Sequence, residues 1–323
     1  MHIRLARPTD APLILSLALS EESHLIKDPA RPSRWSLLRT FAATVMPPAR
    51  PNRVWIGRER ECRVMLEINP RRYVIAWDIV RLYAHGSCED LLAPLFAAVT
   101  RDMQRRGVPR LFSRVDEEAA AHLRPHGFEP LAREVVLVGP GRAAPRDGGL
   151  PAGSRYRMPQ DAWPLHQLEH EITPPLVRQL EGITSLDWSN GKHASEIVVE
   201  REGKIVAWIG WRSAQGSARP MGILIHQDYI GLGPELVHHA LREMGPSRAL
   251  ARVRDYQVDT IGLLRDAGFE PVGEETLVVK YARVVPARAR VPVARNVAGL
   301  PTIRAFRVPT PVPDRKVYTK VHV

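Results

Sequence analysis

His166, Glu169 and His170 stand in the order His-x-x-Glu-His, which on a helix sets two imidazoles and a carboxylate along one face. That arrangement can hold zinc and activate a water. A solvated helix surface is built from the same residue types, however, and the matching helix earlier in the chain, Leu13-Ile14-Leu15-Ser16-Leu17, carries no ligand. The motif is read as surface, and no metal is assigned. His238 and His239 are adjacent, about 100° apart around a helix, and cannot share an ion by themselves. A second chemical feature is the stretch from His226 to Glu235, where Gly231 and Gly233 precede a helical pattern made by Leu236, Val237, Ala240, Leu241 and Met244. Glycines ahead of a helix let backbone N–H groups and the helix dipole close on an anion. A dinucleotide fingerprint is excluded, because Leu236 occupies the place of its third glycine.

The elements that must position these residues occur twice. Arg7-Pro8-Thr9-Asp10-Ala11-Pro12-Leu13 is matched by Met158-Pro159-Gln160-Asp161-Ala162-Trp163-Pro164-Leu165, each ahead of a helix, with Thr9-Asp10 and Gln160-Asp161 as capping residues. Leu123-Arg124-Pro125-His126-Gly127-Phe128-Glu129-Pro130 returns as Leu264-Arg265-Asp266-Ala267-Gly268-Phe269-Glu270-Pro271, each running into an apolar strand, Val135–Val138 and Leu277–Val279. Within the second half, Ile197–Glu200 and Ile205–Ile209 flank Arg201-Glu202-Gly203-Lys204 as a hairpin. The short strand Gly222–Ile225 then leads into the glycine loop. The first half parallels this with Val54–Gly57, Val64–Ile68, Val74–Tyr83 and a helix from about Asp90 to Arg106. An α/β layered fold (α+β) of two related domains follows, each a mixed central sheet flanked by helices. The expected divisions are residues 1–140, a Pro/Gly-rich linker at 141–154, a second domain at 155–283 and a Pro/Arg-rich tail at 284–323.

Strand, glycine loop and helix, then strand and helix closing in Ala-Gly-Phe-Glu-Pro, resemble the GCN5-related N-acetyltransferase family. His226, Asp228, Tyr229, Gly231 and Gly233 are similar to its His-Pro-Asp-Tyr-Arg-Gly-x-Gly lead-in. The resemblance implies acetyl-CoA as acyl donor, held by Ile223, Leu224 and Ile225 of the splayed strand and by Ile230, Gly231, Leu232, Gly233, Pro234 and Glu235 of the loop. It implies an amine acceptor, a small molecule or a peptide. This sequence departs from the family at Ile230, where Arg or Gln is usual, and at Glu235, where Gly or Ala is usual. In the first half the loop is Ala84-His85-Gly86-Ser87-Cys88-Glu89-Asp90, with one glycine and two acids where an anion would sit. The family's proton-donating Tyr is replaced by Leu123 and by Leu264, so Tyr256 and His226 are the side chains assigned to the reaction. The expected function is an acyl-CoA-dependent N-acyltransferase working through the second domain. The alternative is a non-catalytic tandem binding or scaffold protein.

The chain has 323 residues, 44% hydrophobic and 25% charged, which excludes a largely disordered or fibrous protein. Its formal charge is +11, but from Val284 onward eight basic residues face only Asp314, so most of the excess sits in the tail. Nucleic acid is a lesser expectation there, since Phe306 and Tyr318 are its only aromatics. Trp163, Trp188, Trp208 and Trp211 are assigned to the core of the second half. Cys62 and Cys88 are the only cysteines and are read as reduced. No apolar run is long enough for a membrane span or a secretory signal, and a cytoplasmic location is expected.

Overall fold

The computed structural model describes residues 2–19, 24–27, 53–59, 61–85, 88–141, 149–189, 195–212 and 218–283. The tail at 284–323 and residues 142–148 of the linker lie outside the described residues. The first half runs β1 (His2–Leu5), α1 (Ala11–Leu19), β2 (His24–Lys27), β3 (Arg53–Glu59), β4 (Cys62–Pro70), β5 (Ala76–His85), α2 (Glu89–Arg106), β6 (Arg110–Val115), α3 (Glu117–Leu123) and β7 (Phe128–Gly139). The second runs β8 (Ser154–Tyr156), α4 (Ala162–Ile172), α5 (Pro175–Glu181), α6 (Ser185–Trp188), β9 (Ser195–Arg201), β10 (Lys204–Trp211), β11 (Ala218–Ile225), α7 (Gly233–Met244), β12 (Arg248–Arg254), α8 (Val258–Asp266) and β13 (Glu270–Tyr281).

The repeated sequence marks have local physical causes. Asp10 and Asp161 are buried, and each accepts a backbone N–H three residues back, from Arg7 and from Met158, both at 2.7 Å. Each also takes a two-pronged grip from an arginine six residues earlier: Arg4 at 2.6 and 2.8 Å, Arg155 at 2.6 and 2.9 Å. A buried carboxylate stays ionised only when so compensated. The Gly-Phe marks are helix stops. Gly127 and Gly268 adopt φ of 80° and 88°, the left-handed conformation that ends a helix, and the next residue, Phe128 or Phe269, is driven into the core. The hairpin between β9 and β10 turns through Glu202 and Gly203 at φ of 53° and 75°, the twist a two-residue hairpin demands.

All the described strands belong to one sheet, in the order β1-β3-β4-β5-β6-β13-β7-β12-β11-β10-β9-β8, with β2 against β5. Helices cover both faces of each half. One face of the first half packs α2 on Leu66, Ile68 and Leu111, and the other packs Leu13, Ile14 and Leu17 of α1 on Val54, Ile56 and Met65. In the second half α7 and α8 cover Ile223, Ile225, Ala251 and Val253, while Leu165, Leu168 and Trp188 cover Val198, Ile205 and Trp208.

The closing strands do not stay with their own halves. β13 enters between β6 and β7, pairing antiparallel with β6 (Thr276–Tyr281 against Val115–Arg110), and β7 pairs antiparallel with β12 (Glu134–Gly139 against Arg254–Ala249). The two also pair with each other along most of their length. The sheet therefore continues unbroken across the expected division at residues 141–154. One tryptophan departs from expectation. Trp188, Trp208 and Trp211 are buried, but Trp163 is 58% exposed because its place on α4 points away from the sheet-facing Leu165 and Leu168.

Candidate active site

β11 and β12 run parallel and pair only at their starts, Ala218–Met221 against Arg248–Ala251. Beyond Met221 they part. Arg212 donates to the Pro220 carbonyl at 3.0 Å, and the His226 N–H donates to the Val206 carbonyl at 2.9 Å. Even-numbered residues of β11 thus turn their backbone groups toward β10, and odd-numbered ones toward the gap. Ile223 and Ile225 present N–H and C=O to this gap, where no described strand pairs with them. Leu224, expected to share that role, has its backbone turned to β10 and its side chain against the α4 cluster.

In the first half the same splay is filled. β5 pairs with β6 only over Ala76–Asp78, and β4 occupies its opposite edge. The remaining edge is taken by β2, with Ile26 against Leu82 and Lys27 against Arg81. At the head of α2, Cys88 donates its thiol to the His85 carbonyl at 2.6 Å, and Glu89 and Asp90 are exposed in the first helical turn.

The loop of the second half is a 3-10 segment, Gln227–Leu232, running straight into α7. His226 caps it: its Nδ1 accepts the Asp228 N–H at 3.3 Å, and its ring lies 6.0 Å from that of Tyr229. The Gly233 N–H is spent on the Ile230 carbonyl. Pro234 has no N–H to offer, and Glu235 stands exposed in the first turn of α7. Gly231 faces open space, whereas a Cβ on Gly233 would overlap Leu263 Cδ2 and lie 3.1 Å from Ile225 Cδ1. A side chain at 233 would have to displace the end of Leu263. Leu232 is half-buried, and Ile230 packs against the core cluster.

On the opposite face, a cavity of about 360 Å³ is lined by His166, Glu169, His170, Thr173, Arg178 and Glu181, from α4 and α5. Glu169 Oε2 accepts the Trp188 indole N–H at 2.6 Å, and the rings of His166 and His170 are 5.9 Å apart. The residues passed over as solvated surface thus line a concave site; the spacing of His166 and His170 was the signal. Tyr256, two residues past β12, is hydrogen-bonded to Thr173. Burial pushes its phenol above the ordinary tyrosine value, and Glu181 and Glu169 add to this against the opposing effects of Arg254 and Thr173. Glu181 is held by Arg254 at 2.5 Å, and Arg254 also meets Glu134 at 3.2 Å. Glu134 in turn accepts from Arg114 at 2.9 Å, which links the site to the first half. Leu123 and Leu264 are core residues, so neither of these two positions supplies a side-chain proton donor. Among the described residues no group of three or more His, Cys, Asp or Glu could hold a metal ion.

No family model and no curated protein matches the chain. Solved structures do. A GCN5-related N-acetyltransferase from Sphaerobacter thermophilus superposes with a TM-score of 0.55 at 17% identity, over 87% of this chain and 96% of that one. A tandem GNAT protein from the clavulanic acid biosynthesis pathway gives 0.55 at 16% identity, over 87% and 98%. A Drosophila protein gives 0.53 at 13%, over 86% and 98%. At such identities the likeness defines the fold, and the fold is that of the GCN5-related N-acetyltransferases. The chain covers nearly the whole of that tandem protein with one continuous sheet. No helix among the described residues is long and apolar enough to cross a membrane.

Proposed function

We propose that this protein transfers an acyl group from a pantetheine thioester, acetyl-CoA in the first instance, to an amine, and that the second half does the work. One observation carries the reading: no described strand pairs with the β11 edge at Ile223 and Ile225, while β2 closes the equivalent edge in the first half. An extended arm with amide groups can add to such an edge as a strand, which leaves a backbone N–H to polarise the thioester carbonyl. The amine enters from the cavity face. Glu169 receives its ammonium form and takes the proton, the amine nitrogen attacks the carbonyl carbon, and the C–S bond breaks. Tyr256, protonated at neutral pH like any tyrosine and held so more firmly by its burial, gives its proton to the departing thiolate, and its phenolate recovers one from the nitrogen as the amide forms. His226 is a loop-holding residue in this scheme, since its Nδ1 lone pair is engaged by the Asp228 N–H.

A non-catalytic reading is favoured by the loop itself, where Gly233, Pro234 and Glu235 offer an anion little. Thiol release from acetyl-CoA, followed over a panel of primary amines, separates the two. Amine-dependent release that drops at least about ten-fold in Tyr256→Phe, within the range removed with a general acid, supports transfer. No release with any amine, together with no heat of acetyl-CoA binding, leaves the scaffold reading standing. Gly233 is unsuited to this test because any side chain there meets Leu263.

A further inference from the structure

The two parts of the proposed donor site disagree about what they are built to hold. The strand edge is intact: Ile223 and Ile225 offer backbone donors and acceptors at the spacing of an added strand. The head of α7 beyond it offers an anion little. Of the three successive amides at the head of α7, that of Gly233 is consumed by Ile230, that of Pro234 does not exist, and that of Glu235 belongs to a residue whose own exposed carboxylate stands beside it. Asp228 adds a second carboxylate at the loop, 71% exposed and 3.5 Å from His226. Ile230 packs into the core cluster, so it supplies no cation. Acids in a first helical turn satisfy the helix dipole from within and oppose any further anion.

We propose that the donor taken by this site is a pantetheine thioester that does without the adenine nucleotide and its pyrophosphate. The arm is recognised through its amides and its acyl end, either as a free molecule or borne as 4′-phosphopantetheine on a carrier protein. This rests on the acyltransferase reading above. Because the strand edge contacts only the arm, the nucleotide contributes little, and the carboxylates of Asp228 and Glu235 act against its phosphates.

The test is calorimetric titration of the full chain with S-acetylpantetheine, S-acetyl-4′-phosphopantetheine and acetyl-CoA, repeated with Glu235→Lys. The exposed position of Glu235 keeps that variant folded, and a thermal melt checks it. Acetyl-CoA is expected to bind no more than about five-fold tighter than S-acetylpantetheine, less than one hydrogen bond to a charged group provides. Glu235→Lys is expected to tighten acetyl-CoA by about three- to thirty-fold, as a change of two charges at a helix N-terminus does, and to leave S-acetylpantetheine unaffected. A wild-type preference for acetyl-CoA greater than about five-fold, or an equal response of both donors to Glu235→Lys, overturns the inference and leaves the acyltransferase reading intact. Absence of binding by all three thioesters overturns both. A fourth titration, with an acetyl-phosphopantetheinyl carrier protein, identifies the source: tighter binding than the free arm places the arm on a protein, and equal binding places it in solution.

Discussion

Replacing Glu134 by glutamine should weaken the whole molecule through one buried oxygen pair. Glu134 is 5% exposed and lies on β7, between Arg114 of β6 at 2.9 Å and Arg254 of β12 at 3.2 Å. Removing one partner of a buried ion pair typically costs about 3–5 kcal/mol, because the other charge is left uncompensated. Two features bring the figure down here. Arg254 keeps Glu181 at 2.5 Å, and Arg114 is 43% exposed and can be rehydrated. The expected loss is therefore about 2–3 kcal/mol, a fall of about 4–12 °C in melting temperature for a unit of this size. Circular dichroism melts at pH 7 measure it directly. Burial alone would raise the Glu134 carboxyl, but Arg114, Arg254 and Arg252 outweigh it and hold the group below the ordinary carboxylate range. Its stabilisation is thus complete above the unfolded-state value and is lost as pH falls through the lower folded-state value. The gap between wild type and Glu134→Gln should close toward acid pH. Melting temperatures within about 1 °C of each other at pH 7, well under the shift expected for this loss, would refute the argument, as would a gap that stays constant down to acid.

Gly233→Ala should cost about 1–3 kcal/mol, since its Cβ overlaps Leu263; chemical denaturation measures this, and a neutral result would mean that Leu263 yields freely. Tyr256→Phe should lower turnover while leaving the donor's binding constant unchanged; a matching loss of donor binding would make it a structural residue. Ile26→Asp, on the strand that fills the first-half splay, should destabilise the fold by about 2–4 kcal/mol, yet leave thioester binding per folded molecule unaltered. A gain of a second thioester site in that variant would show that β2 alone closes the first half.

What the sequence displayed was local. The Gly-Phe helix stops, the Asp161 turn and the β9–β10 hairpin are each written within a few residues, so their places followed from chain-local chemistry. The exchange of β7 and β13 joins segments more than a hundred residues apart, and both strands carry the same apolar character whichever lobe they complete. No pattern could choose between partners. The splayed edge was anticipated as Ile223 to Ile225, but the assignment of Leu224 away from it depends on register with β10, which only the sheet fixes. His166, Glu169 and His170 are legible as a motif, and His170 is exposed as a surface reading requires, but the concavity beside them depends on α5, which the motif does not announce.

The crossing of β7 and β13 also governs how the chain can be made. β6 has β5 on one side and β13 on the other, and β13 is the last described strand to leave the ribosome. Through nearly all of synthesis, therefore, the amino-terminal lobe lacks the native partner of its β6 edge, and an edge in that condition is a template for another strand. Folding by lobes, amino-terminal first, is the habit of chains of this length. This one has to delay that lobe's completion until its final strand arrives, and β7 can dock on β12 only when β12 exists. Such a molecule cannot be trimmed to one working lobe by a stop codon or a protease cut at the 141–154 segment without leaving an open edge on what remains. Two similar halves have been made answerable to each other, and the chain matures only once, as a whole.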